Sequence, residues 1–285
     1  MTDTHPQRVG LVIGSGSVKC SAAIGLWRVL QREGIRVDMV VGCSGGSIFS
    51  AFIALGYDAG AMEQMTLRLW ARGITGKLYY PSLLRAALPR LFGFNQRFGL
   101  VDDRPIMAGL HEAFGDKTFA DTQFPLYLAA ADMQTGERVL LNKGRLVDAI
   151  RASIAIPILF RPWEVGGRLL IDGGAADPLP VSVAIREQCD IIIAMGFESP
   201  YTSHYGSLTH LVSQTTSIMI NNLLKSTYAF YNLAHHAEIV PIIPELERRI
   251  DLGDAHQIPY LIEKGQQAAE TQLPYLRRLL ASTKP

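Results

Sequence analysis

Three short stretches of this 285-residue chain carry side chains that could do chemistry. The first reads G-C-S-G-G over residues 42–46, an instance of G-x-S-x-G. It follows a β-branched run at 37–41 and precedes an apolar helical pattern that reaches Leu55. A sharp strand-to-helix turn at that point lifts the Ser44 hydroxyl out of a sheet and sets it near a helix N-terminus, where it can act as a nucleophile. Gly42 and Gly46 leave room for the tight backbone. The plainer alternative is a glycine-rich turn in which Ser44 only caps the helix.

The second stretch, G-S-G-S-V-K over 14–19, follows an apolar run at 9–13. A dinucleotide-binding turn would need glycine where Lys19 stands, and P-loop spacing is absent. Two readings are left: an oxyanion hole of backbone N–H groups at a helix start, or an ordinary strand-to-helix turn. The third stretch, I-D-G-G over 171–174, sets Asp172 at a strand end beside Gly173 and Gly174. A carboxylate there serves as a general base or caps a turn. None of the seven histidines stands in a setting that suits a triad. His235 and His236 are adjacent after a helical stretch, and adjacent helical residues face different ways. No cluster suits a metal and no acidic loop suits calcium, so neither metal nor cofactor is expected.

The elements that must hold these stretches are legible as alternating strand-like runs and helical periods. Runs at 9–13, 37–41, 126–131 and 191–195 are apolar on both faces, which suits a mostly parallel sheet covered by helices. Residues 139–141 are expected to pair nearby after the turn at Thr135 and Gly136. The Gly166–Gly167 pair marks a hairpin between 164–165 and 168–171. A last strand is expected at 239–243. Ala23, Leu26, Trp27 and Leu30 repeat at helical spacing with Gly34 as C-cap. The tail from about 259 to 281 reads as a helix, with Pro274 expected to kink it. No linker interrupts 1–285, so a single α/β hydrolase domain is expected.

The formal net charge of +1 excludes the strong basic excess of a general nucleic-acid binder. The amino terminus lacks the order of a secretory leader, and no apolar run approaches the ~18 residues of a bilayer span. Three cysteines do not form a disulfide framework and read as free thiols of a reducing cytoplasm. The segment 64–101 stands apart: it has no acidic residue, six basic ones, and aromatics such as Trp70, Tyr79 and Phe92 interleaved. That composition suits either contact with an anionic membrane, peripheral to its inner face, or a packed helical cap whose arginines are solvated.

Taken in order, these motifs resemble the patatin-like phospholipases, bacterial-type serine lipid acyl hydrolases. The resemblance runs from residue 9 to about residue 269. It rests on the glycine-rich turn ending in Lys19, on G-C-S-G-G, and on R-A-S-I-A-I-P-I-L-F-R-P-W-E-V-G-G-R-L-L-I-D-G-G over 151–174; T-F-A-D at 118–121 and D-M-Q-T-G-E at 132–137 are also similar. It implies a three-layer α/β/α sandwich and a Ser-Asp dyad, with Ser44 matching the nucleophile and Asp172 the base, which accounts for the missing histidine. It implies an oxyanion hole over Gly14, Ser15, Gly16 and Ser17. The chain departs from the family where Ser15, Ser17 and Cys20 stand in place of glycine. Serine can still donate its N–H there, but a position with positive φ resists a residue with a Cβ.

The mechanism so implied has Asp172 take the Ser44 proton, Gly16 and Ser17 N–H groups steady the oxyanion, and water clear an acyl-enzyme. The expected substrate is a lipid or other acyl ester, cut by a phospholipase A or lysophospholipase type of activity. A soluble carboxylesterase of short esters and a regulatory lipid-binding pseudoenzyme are the rivals. The sequence leaves acyl length, headgroup and oligomeric state open.

Overall fold

The computed structural model describes residues 7–71, 95–198, 208–234 and 237–281. Residues 72–94, most of the basic aromatic segment, lie outside them, as do His5, His204, His235 and His236.

The chain opens with β1 (Val9–Ile13), a short 3-10 turn (Ser17–Ser21) and α1 (Ala22–Arg32). Then come β2 (Met39–Cys43), α2 (Gly45–Ala54) and α3 (Ala59–Ala71). After 72–94 the described chain continues through α4 (Arg104–Phe114), β3 (Leu126–Asp132), β4 (Arg138–Leu141) and α5 (Leu146–Ser153). The hairpin strands β5 (Trp163–Val165) and β6 (Arg168–Asp172) turn at Gly166 and Gly167, both at positive φ. The remainder is α6 (Val181–Arg186), β7 (Ile191–Met195), α7 (Leu208–Ala234), β8 (Glu238–Ile242) and α8 (Ile258–Ala281), which carries Pro274 inside it.

The eight described strands form one sheet in the order β5-β6-β3-β2-β1-β7-β8, with β4 also paired to β3. From β3 to β8 every neighbouring pair is parallel; β4, β6 and β5 add antiparallel pairings at one side. Alternate residues of the parallel strands feed two cores. Leu11, Ile13, Val40 and Ile193 pack with α1, α2 and α8 on one face. Val12, Val41 and Ile192 pack with Val181, Val183 and Leu224 of α6 and α7 on the other. Helices on both faces of a mostly parallel sheet are the expected α/β architecture, and double burial is why these strands read as unbroken apolar runs.

β2 ends two residues later than the β-branched run suggests. Gly42 and Cys43 lie in the ladder, opposite Ile13 of β1 and Leu128 and Ala129 of β3. Strand register, not residue preference, extends it. That register also sets the site. Cys43, just before Ser44, pairs with Ala129, and Asp172 pairs with Ala130. Two consecutive residues of β3 thereby bring together side chains 128 residues apart in sequence.

Candidate active site

Ser44 is the hinge residue between β2 and α2, with φ 55° and ψ −130°. That φ is costly for a residue with a Cβ, on the order of 1–3 kcal/mol, and persists only where the surroundings hold it. Here they do. The Ser44 carbonyl accepts from Ser47 N–H at 2.9 Å and from Ser47 Oγ at 2.6 Å. The glycines after the serine permit close backbone packing. A Cβ on Gly45 would lie 2.4 Å from the Ser17 carbonyl oxygen, and one on Gly46 would lie 2.3 Å from that of Ile13. The elbow therefore fits against the turn after β1, and the G-x-S-x-G pattern records that fit. Asn and serine caps normally accept from the helix they start; the Ser44 side chain makes no such bond.

Its hydroxyl instead donates to Asp172 Oδ2 at 2.6 Å. Asp172, the last residue of β6, accepts from Gly174 N–H on its other oxygen at 2.8 Å. Both residues are buried. Burial without a cation pushes the Asp172 carboxyl up to about 6, against the pull of the Ser44 and Gly174 hydrogen bonds, which favour its charged form. A base near pKa 6 is ionised at neutral pH yet basic enough to share a serine proton.

The glycine-rich turn divides in two. Gly14 N–H donates to the Met195 carbonyl at 2.9 Å, and Ser15 N–H to that of Pro178 at 2.7 Å. These two amides, expected in an oxyanion hole, are occupied with anchoring the turn. Gly16 N–H and Ser17 N–H have no acceptor among the described residues, and neither has Gly45 N–H at the start of α2. Ser17 sits at φ 55°, the left-handed region that disfavours its Cβ, and its hydroxyl is buried without a partner among the described residues. Lys19 is buried behind the turn, where desolvation lowers its ammonium to about 8. Gly42 meets Ser47 and Ser50, and a Cβ on Gly173 would lie 2.3 Å from the Ala129 carbonyl oxygen.

Ser44, Ser17 and Gly45 open onto a narrow cleft walled by Ile48, Ile106, Ile154, Ile156, Phe160 and Leu252. Trp70, from the described part of the basic aromatic segment, is buried in the same wall. Arg97 of that segment is exposed and bonded to Glu164 at 2.6 Å. A second pocket, between Arg28 and Glu270, is polar and lies away from these residues.

The sequence carries Ser153 and Arg151 inside the block at 151–174 without marking a role for either. Ser153 contacts the Ser44 backbone. Arg151 is wholly buried, donates to Asp103 at 2.7 Å and to the Arg161 carbonyl at 3.0 Å, and lies over the Phe160 and Trp163 rings. It ties the cleft wall at 154–160 to the start of α4. His111 and His256 are exposed. Among the described residues no group of His, Cys, Asp and Glu could hold a metal ion, and no helix is long and apolar enough to cross a membrane. The three cysteines are free and buried.

A serine held on a strained strand-to-helix turn against a buried aspartate, beneath unpaired amides, is an arrangement for nucleophilic acyl chemistry. The Patatin-like phospholipase family model matches residues 11–185, more than half of the chain, and the chain belongs to that family. An uncharacterized NTE family protein of Mycobacterium tuberculosis is 29% identical over 227 residues, covering 80% of this chain and 58% of its own. Lysophospholipase NTE1 of Yarrowia lipolytica is 25% identical over 248 residues, which cover 86% of this chain but 16% of the relative. The chain thus spans only part of the relatives it matches. Among solved structures, VipD from Legionella pneumophila overlays with a TM-score of 0.49 at 12% identity, covering 95% of this chain and 67% of that one.

Proposed function

We propose that the protein hydrolyses lipid acyl esters through Ser44 and Asp172 by way of an acyl-enzyme. The observation that carries the reading is the 2.6 Å hydrogen bond from Ser44 Oγ to a buried carboxylate. As Ser44 Oγ attacks the ester carbonyl, its proton passes to Asp172. The tetrahedral oxyanion accepts from the Gly16, Ser17 and Gly45 amides. The leaving alcohol takes the proton from Asp172, and water, deprotonated by the same carboxylate, then releases the acid. Each free amide contributes on the order of 3 kcal/mol if aimed at the developing charge.

The apolar cleft supports a hydrocarbon acyl chain rather than a charged one, in keeping with the lysophospholipase name of the yeast relative. Phospholipase A and lysophospholipase specificity, and the short-ester carboxylesterase alternative, separate on substrate length. In the same reading the protein is cytoplasmic, and segment 64–101 brings it to anionic lipid.

A series of p-nitrophenyl esters from two to sixteen carbons, followed by phospholipid and lysophospholipid hydrolysis, tests the function. We expect kcat/KM to rise with chain length, and both hydrolysis and fluorophosphonate labelling to vanish in Ser44→Ala. Labelling that persists in Ser44→Ala refutes the nucleophile. A preference for the shortest esters, with no phospholipid turnover, favours the carboxylesterase.

A further inference from the structure

The Ser44 backbone is gripped by a residue far away in sequence. Ser44 N–H donates to Ser153 Oγ at 2.9 Å, and the Ser153 hydroxyl donates in turn to the Ala129 carbonyl at 2.6 Å. One hydroxyl supplies one proton and accepts on its lone pairs, so both capacities of Ser153 are engaged. The side chain is fully buried, at 0% exposure, so water cannot replace either bond. Two residues on, the Ala155 carbonyl accepts from Asp172 N–H at 2.9 Å. The segment 153–155 therefore holds the backbones of both members of the dyad, one through a side chain and one through a carbonyl. Ala129, the far anchor, is the residue that pairs with Cys43, and its carbonyl oxygen is also the one that Gly173 approaches.

We propose that Ser153 is a positioning residue: its hydroxyl holds the strained elbow at φ 55° so that Ser44 Oγ stays within hydrogen-bonding distance of Asp172. The proposal rests on Ser44 and Asp172 being the reacting pair. It also assigns the oxyanion hole more narrowly. The nucleophile's own amide is committed to Ser153, so the hole falls to Gly16, Ser17 and Gly45. Without the Ser153 bond, a buried N–H loses its acceptor and the positive-φ backbone can relax, carrying Oγ away from the carboxylate.

Ser153→Cys is the primary variant, because a thiol nearly matches the hydroxyl in size but is a weak donor and acceptor. Ser153→Ala and Ser153→Thr accompany it, with kcat, KM, fluorophosphonate labelling rate and thermal unfolding followed for each. In Ser153→Cys, kcat and the labelling rate should fall roughly 10- to 100-fold, the worth of one buried hydrogen bond, while KM stays within about twofold. The acid limb of kcat should move up from about pH 6, since Asp172 loses a bond that favours its charged form. Ser153→Thr, which keeps the hydroxyl, should recover most of the rate. Wild-type kcat and an unmoved limb in Ser153→Cys overturn the proposal. So does a loss of rate in all three variants that tracks lost stability with the limb unmoved. A wild-type protein that neither labels at Ser44 nor turns over ester overturns the dyad reading itself, which is a separate result.

Discussion

Replacing Asp172 with asparagine should make the protein inactive and, at neutral pH, more stable. Burial pushes the native carboxyl up to about 6, against 3.8 for an exposed aspartate. Between about pH 4 and pH 6 the folded chain holds a proton that the unfolded chain has released. Stability from this group is thus fully present below about pH 4 and is lost as pH rises through 6. A rise from 3.8 to about 6 corresponds to about 3 kcal/mol of disfavoured ionisation at pH 7. Asparagine is close in shape and carries no charge. Its carbonyl oxygen can keep the Gly174 N–H bond and its amide can donate to Ser44 Oγ, while the Ser44 proton that Asp172 accepted turns toward the cleft. Urea unfolding of both proteins from pH 4 to pH 8 measures the difference. The two curves should meet near pH 4 and separate by up to about 3 kcal/mol in favour of the variant by pH 7.5. A difference that is constant across this range, or a variant less stable at pH 7.5, would refute the argument that burial raises this carboxyl.

Ser17→Gly removes a Cβ from a φ of 55° and a buried hydroxyl without a partner, so it should stabilise the chain by about 1 kcal/mol in thermal or urea unfolding. The Gly16 and Ser17 amides are kept, so kcat should not fall. Arg151→Met breaks a fully buried ion pair and its cation–π contacts; Asp103 keeps its bond from Arg161, so a loss near the lower end of the usual range, about 3 kcal/mol, is expected in urea unfolding. KM for long-chain esters should rise with it, because the tether on the cleft wall is released.

The chemistry-bearing residues are legible in the sequence because their signatures are local. A serine between glycines after an apolar run needs only its neighbours to declare a strand-to-helix turn, whereas Asp172, which closes its own strand, is marked as a base only through the family resemblance of the block around it. The sheet was legible for a similar reason: strands buried on both faces leave unbroken apolar runs. The edges were not. Gly42 and Cys43 extend β2 only because β1 and β3 hold matching positions beside them. Helix α4 carries no marking motif, and α5 enters the family block only in its last turn, from Arg151 to Ser153; both matter because Arg151 joins one to the other.

What the sequence alone offered was therefore the candidate nucleophile, the class of fold and the place of the glycine-rich turn, with the candidate base named through the family resemblance. Tertiary structure decided which amides of that turn are free. Gly14 and Ser15 give theirs to the carbonyls of Met195 and Pro178, far along the chain, and no local pattern records such a partner. It also decided that Ser153 grips Ser44 across 109 residues. The reason is common to both. Each bond forms where the assembled fold brings a buried donor to an acceptor from a distant segment, and that meeting belongs to the packed sheet and helices together rather than to any one segment.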